Sequence, residues 1–296
     1  MKKVKIIHGW TEDELSLQGF HWESEDKNIC VVYVHGMSGN IIENYFAEVL
    51  GDELTNNDIG FLYGHNRGYS HINDIRTKKI EKNNSKKTIS IGQIYERFNE
   101  SYYDIDLWVN EAKQMGYNKI ILMGHSLGCN KVIHYFAKNN NNFVEKIILA
   151  SPPDMVGLAK MKKYQPNYQE ILTEAKKNVK NNKSRKIINS LLWDWYHISS
   201  QTFLDLFKDG CSADNLPLLR NPEKFDELSK IDVPIFAFMG EYDDIEIKSL
   251  KEDLGLIKEK AISCPDFDIE ILKGANHIYE NKEKELSEMI IKWIKN

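Results

Sequence analysis

The sequence predicts an α/β fold: a mostly parallel, eight-stranded sheet flanked by helices, with a helical insertion. Three observations lead there. Runs such as CVVYVH (30–35), KIILM (119–123), KIILA (146–150) and PIFAFM (234–239) are apolar without interruption. Strands buried on both faces read that way, and they belong to parallel sheets covered by helices. Amphipathic stretches alternate with these runs, which is the rhythm of a doubly wound sheet. The long segment 154–230 contains no comparable run.

In chain order, strands are expected at 4–8, 15–22, 29–35, 60–63, 119–123, 146–150, 234–239 and 267–272. Helices are expected at 43–54, 94–115, 127–138, 247–262 and 283–295, where apolar residues recur at helical spacing. The lysine-rich stretch 73–90 reads as a surface excursion. Within 154–230, helices are expected at 168–182, 186–193 and 199–208. So much helix between two core strands reads as an insertion seated on the sheet. The division expected is a core of residues 1–153 and 231–296 and a cap of residues 154–230. Nine basic residues between Lys160 and Lys186 read as a solvated face.

Composition narrows the function classes. The 296 residues are 42% hydrophobic and 28% charged, enough for a sizeable core. A net charge of −5 argues against a nucleic-acid binder. No apolar run approaches the roughly 20 residues of a membrane helix. The opening MKKVKIIHGW lacks an h-region and a cleavage site, so it reads as a first strand. Cys30, Cys129, Cys211 and Cys264 are far apart, with no CxxC and no histidine at metal spacing. Free thiols in a reducing cytoplasm are the expectation, with no metal and no cofactor.

The chemistry gathers at Gly124-His125-Ser126-Leu127-Gly128, between the run KIILM and an amphipathic helix. This is G-x-S-x-G in the strand–turn–helix context of a nucleophile elbow. A serine hydroxyl needs a base and an orienting acid to attack a carbonyl. After PIFAFM comes Gly240-Glu241-Tyr242-Asp243-Asp244, and after FDIEILKG comes Ala275-Asn276-His277. Both turns follow strand ends, where open α/β sheets place their sites. His277 is the expected base and Asp243 the expected acid, with Asp244 and then Asp154 as rivals. The remaining histidines have bland readings: His125 packs inside the elbow and His35 bonds loop backbone. An oxyanion hole is expected from the N–H of Leu127, after the nucleophile, and the N–H of Met37, after His35-Gly36. Ser38 is a lesser candidate, more readily a turn serine.

With these residues in view, the chain resembles the α/β-hydrolase superfamily over nearly its whole length. The resemblance rests on HGMSGN (35–40), HNRGYS (65–70), GHSLGC (124–129), GEYDD (240–244) and GANH (274–277), in that order. It is most similar to the group sharing domain of unknown function 1749. The stretches that carry this are IYERFNESYYDI (94–105), GHSLGCNKVI (124–133) and HISSQTFLDL (197–206). The resemblance implies a serine hydrolase of ester-like substrates with a helical cap, and a structural role for Arg67. Trp193, Trp195, Tyr196, His197 and Phe203 then fall in the cap, either packing it onto the sheet or lining an acyl or alcohol pocket. A small-molecule acyl substrate is expected. Ester, thioester and amide hydrolysis and acyl transfer stay open, as does a non-catalytic scaffold.

Overall fold

The computed structural model describes residues 3–80, 86–139 and 143–296. Its elements run β1 (Val4–Trp10), β2 (Ser16–Trp22), β3 (Ile29–Val34), α1 (Phe46–Asn56), β4 (Gly60–Gly64), β5 (Asp74–Ile80) and β6 (Lys86–Ser90). They continue with α2 (Ser101–Gln114), β7 (Lys119–His125), α3 (Leu127–Lys138), β8 (Val144–Ala150), α4 (Met155–Lys160), α5 (Tyr168–Lys180) and α6 (Ser200–Phe207). The last are β9 (Ile235–Tyr242), α7 (Leu250–Lys260), β10 (Phe267–Asn276) and α8 (Glu283–Lys295). Eight strands form one sheet in the order β1-β2-β4-β3-β7-β8-β9-β10. Only the pairings of β2 are antiparallel. From β4 to β10 every neighbour is parallel.

The uninterrupted apolar runs have a simple cause. Successive strand residues point to opposite faces, and here both faces are covered. Val31, Tyr33, Ile121, Met123, Phe236 and Phe238 enter a core with α1 and α8. Their neighbours Val32, Val34, Ile120, Leu122, Ile235 and Ala237 enter the core under α2, α3 and α7. The parallel register brings the C-terminal ends of β3, β7, β8, β9 and β10 to one edge, with Val34 opposite Gly124 and His125 opposite Ala150. Every loop named above as chemistry-bearing leaves the sheet there.

Three expectations are corrected. Within 73–90 lies a hairpin, β5 with β6, bridged through Thr77 to Leu15, the residue before β2. Its alternation is real, since Ile75 and Thr77 are buried while Asp74, Arg76 and Lys78 are exposed. The charged residues Asp74, Arg76 and Lys78 on the outer face conceal it. No helix spans 186–193. Ile187 bridges Ser199 and Leu192 bridges Tyr196 around a turn, with Trp193 and Asp194 at positive φ. The i, i+4 spacing of Ile188, Leu192 and Tyr196 imitates a helix, yet all three reach the same buried cluster through a doubled-back chain. The α2 helix starts at Ser101 rather than 94. The carbonyl of Ile94 instead accepts the amide of Ser199 and the hydroxyl of Thr202.

Between β8 and β9 lie α4, α5, α6 and a 3-10 turn at Leu228–Lys230, and no sheet strand intervenes. This segment has an apolar cluster of its own, centred on Tyr168, Ile171, Leu192, Phe203 and Phe207. Phe98, Leu127 and Met37 join it from the core elements.

Candidate active site

Ser126 stands between β7 and α3 with φ 53° and ψ −129°. A non-glycine residue adopts such angles only where its surroundings over-determine them. Here its N–H donates to Ala150 O (2.9 Å) and its carbonyl accepts from the amide of Cys129 (2.8 Å). The glycines are there for room. A Cβ on Gly128 would overlap the carbonyl oxygen of Val34, and one on Gly124 would sit 2.5 Å from Gly128 O. A Cβ on Gly36 would come within 2.8 Å of Ser126 Cβ, so the loop after β3 leans directly on the serine.

His277 follows β10, and its Nδ1 lies 2.9 Å from Asp243 Oδ1 at the end of β9. Asp243 is buried, while His277 keeps about a quarter of its side chain exposed. Burial works against a charged His277, but the hydrogen bond and charge of Asp243, with the charge of Asp244, outweigh it and raise its pKa above 6.5. Burial likewise opposes ionisation of Asp243. The bond and charge of His277, a bond from Ser151 and the Ile245 amide still bring its pKa below 3.8. Asp244 does not bond His277. Asp154 caps α4 and binds Leu219 N and Arg220, away from the histidine.

Both Ser126 and His277 line one cavity, and no hydrogen bond joins them among the described residues. Hydrogen bonds of this kind are often long before substrate binds. Met37 lines the same cavity, and Leu127 opens α3 directly after Ser126. Among the described residues neither amide donates to another group, so both stay available to an incoming oxygen. The helix N-terminus behind Leu127 adds a partial positive charge.

The supporting residues include two that the sequence did not suggest. Ser151 (φ 53°), just past β8, donates to the second oxygen of Asp243 and lies 2.6 Å from the buried hydroxyl of Tyr279. Nothing in their local sequence distinguishes these residues. His125 Nε2 donates to the backbone carbonyl of His277 at 2.8 Å, fixing that loop. Burial and the neighbouring His277 push its pKa down to about 3, so it stays neutral. His35 Nδ1 donates to Gly36 O (2.8 Å), and its Nε2 accepts the amide of Asn66 (2.9 Å). Burial and the Lys131 charge hold it neutral as well.

The cavity measures about 440 Å³. From the segment between β8 and β9 it takes Met155, Leu158, Tyr164, Trp193, Trp195 and Tyr196. Three residues considered for the site, Ser38, His197 and Phe203, lie outside the lining of this cavity. Ser38 binds the Tyr196 hydroxyl at 2.9 Å and so ties the two loops together. His197 is exposed, and Phe203 is wholly buried among the rings of the inserted helices. One ligand atom each from Asp243, Asp244 and His277 falls within 4.8 Å of the others, a spacing that a metal ion could also use. Asp243, however, already has both oxygens in hydrogen bonds to His277, Ser151 and Ile245.

A family profile described as protein of unknown function DUF1749 matches residues 102–295. A search of curated proteins by sequence finds no match. Among solved structures, Est1E from Butyrivibrio proteoclasticus with ferulic acid bound superposes with a TM-score of 0.63 at 14% identity, covering 95% of this chain and 94% of that one. The esterase Pf2001 from Pyrococcus furiosus does so at 0.63 and 16% identity, covering 99% and 91%. A soluble variant of monoglyceride lipase from Saccharomyces cerevisiae with a substrate analogue reaches 0.66 at 14% identity, covering 100% and 95%. The shared architecture is the α/β-hydrolase fold.

Proposed function

Because the chain belongs to the DUF1749 family and has the α/β-hydrolase fold, we propose that it is a serine hydrolase cleaving a carboxylic ester or related acyl substrate. The observation that carries the reading is the strained Ser126 sharing a cavity with His277, whose other face is held by Asp243. His277 Nε2 takes the proton as Ser126 Oγ attacks the carbonyl carbon. Asp243 keeps Nδ1 protonated and stabilises the imidazolium. The developing oxyanion accepts the amides of Met37 and Leu127. His277 then protonates the leaving group, and an acyl-enzyme remains on Ser126. Water, activated by the same imidazole, releases the acid. Residues 154–230 act as the cap and set substrate size, over a core of residues 1–153 and 231–296. No helix among the described residues is long and apolar enough to cross a membrane. The four cysteines are free, which supports a reducing cytoplasm as its location.

The test is labelling by a fluorophosphonate probe, with Ser126→Ala as control, followed by a panel of 4-nitrophenyl esters. Labelling of Ser126 with turnover of at least one ester supports the reading. An unlabelled wild-type chain would point to a non-catalytic scaffold.

A further inference from the structure

Asn44 lies in the loop between β3 and α1, the loop that also supplies Met37, and it lines the same cavity as Ser126. The residue is only 9% exposed. Its backbone amide donates to Asn40 O at 3.0 Å, and its carbonyl accepts the amide of Ala47 at 2.8 Å. The loop is braced further by Asn40, whose Oδ1 accepts the amides of Ile42 (3.0 Å) and Glu43 (3.1 Å). Asn44 Oδ1 accepts the hydroxyl of Tyr63, a wholly buried residue of β4. Burial first, then Tyr33 and Glu43, hold the Tyr63 phenol well above its ordinary pKa of 10.0, so it keeps its proton. Asn44 is its only hydrogen-bond partner among the described residues. A buried phenol must spend its hydrogen on an acceptor, so the oxygen of the Asn44 amide faces Tyr63 and the nitrogen faces away from it. Nδ2 has no partner among the described residues, yet it is not among the unpartnered side-chain atoms sealed from solvent.

Nδ2 is therefore an oriented donor on a residue of the cavity wall. Much of the remaining wall is apolar, with Met155, Leu158, Ile245 and Ile278 among its residues. Several polar groups there are already committed: the Tyr164 hydroxyl to Asp244 O, the Tyr196 hydroxyl to Ser38, and His125 to His277 O. A plain hydrocarbon chain filling the cavity would strip water from the Asn44 amide and return no acceptor, and a donor left unpaired in this way is costly. We propose that Asn44 is a specificity-determining residue, donating from Nδ2 to an acceptor oxygen that the substrate carries in addition to its scissile ester. No lysine or arginine lines the cavity to accompany an anion, so that oxygen is neutral: an ether, a hydroxyl or a carbonyl. Tyr63 is a positioning residue, acting only through the orientation of the Asn44 amide. The inference rests on the serine-hydrolase reading and narrows its substrate class to oxygen-bearing acyl or alcohol chains.

The experiment is an oxygen scan. The probes are 4-nitrophenyl hexanoate and hexyl butyrate, each with an ether oxygen replacing the third, fourth or fifth carbon of the six-carbon chain. For every position the ratio of kcat/KM, ether over hydrocarbon, is measured in wild type, Asn44→Asp and Tyr63→Phe. Asn44→Asp keeps an acceptor for the Tyr63 hydroxyl and replaces only the donor. Tyr63→Phe keeps the donor and frees its orientation, so one variant serves if the other fails to fold. Taking the ratio cancels the intrinsic reactivity of each ester and any effect of the new carboxylate on His277. The expected result is at least one position, on the acyl or the alcohol side, where the wild-type ratio exceeds that of both variants by about fivefold, the worth of one ordinary hydrogen bond. Ratios that are the same at every position in all three proteins overturn the inference. So does an equal loss for every ester, which would make Asn44 a support of the loop alone. Failure of the parent reading looks different: the chain would then neither hydrolyse 4-nitrophenyl hexanoate nor take the fluorophosphonate label.

Discussion

Ser126 owes its place to backbone rather than to its own side chain, since the hydroxyl holds nothing in the core. Replacing it with Ala is expected to remove turnover by several orders of magnitude while unfolding stability stays within about 1–2 kcal/mol of wild type. Steady-state kinetics and a urea melt on the same preparation check both halves. The His277–Asp243 pair makes a pH prediction. His277 must be neutral to act as base, and its pKa lies above 6.5, so kcat/KM should fall as pH drops through that raised value. In Asp243→Asn the largest favourable influence is gone. The inflection should move to lower pH, and the rate should fall by about 10⁴ as the tautomer is lost. The same pair bears on stability. The raised histidine contributes below its unfolded value of 6.5 and the lowered carboxylate above its unfolded value of 3.8. The melting difference between wild type and Asp243→Asn should therefore be greatest between those limits. Ser126, Asp243 and His277 were legible in the sequence because each follows an apolar strand in a recognisable turn. Ser151 and Tyr279 were not, because only the fold brings them under Asp243.

At the scale of elements, burial on both faces made the parallel strands conspicuous, and their alternation with helices marked the sheet as mostly parallel; the strand order itself came only with the structure. What failed was the segment whose shape is set by tertiary contacts. Residues 186–199 carry helical spacing but double back, since Ile188, Leu192, Tyr196 and Ile198 can all reach one cluster only that way. The hairpin β5–β6 was concealed because its outer face is polar throughout: Asp74, Arg76, Lys78, Thr88 and Ser90. Three substitutions test the packing logic. Gly128→Ala forces a methyl against the Val34 carbonyl at the α3–β3 contact, and should cost about 2–3 kcal/mol in denaturant unfolding. Trp195 lines the cavity but remains 59% exposed, so Trp195→Ala should leave stability within about 0.5 kcal/mol while lowering kcat/KM for large esters more than for small ones. An unchanged size preference would reduce Trp195 to surface packing. Trp193 packs edge-on to Phe207, with centroids 5.5 Å apart, and its truncation should cost stability as well.

The molecule as a whole is also held by ion pairs built on buried charges. Arg67, 1% exposed, reaches Asp104 at 2.9 Å, Asp13 at 2.8 Å and Glu100 at 2.7 Å. It thereby joins the loop after β4 to the β1–β2 turn and the start of α2, the bracing role the sequence suggested. Close by, Lys131 of α3 and Glu96 form an ion pair in which neither side chain has any exposure. The second oxygen of Glu96 and both side-chain polar atoms of Gln93 and Asn66 have no partner among the described residues. Ion pairs this deep lose about as much in desolvation as they return in attraction, so their removal together and their removal singly have different consequences. Lys131→Met alone leaves the Glu96 carboxylate uncompensated and should cost about 3–5 kcal/mol. Lys131→Met with Glu96→Gln removes the stranded charge and should recover most of that loss, read as a double-mutant cycle in urea. Recovery would mean that the pair determines which arrangement the elements adopt more than how stable it is. It would also tie the setting of the α3 helix behind Ser126 to a buried charge on the loop before α2. If the double variant is as unstable as the single one, the cost lies in lost packing around the Lys131 stem, and the charge on Glu96 has little to do with it.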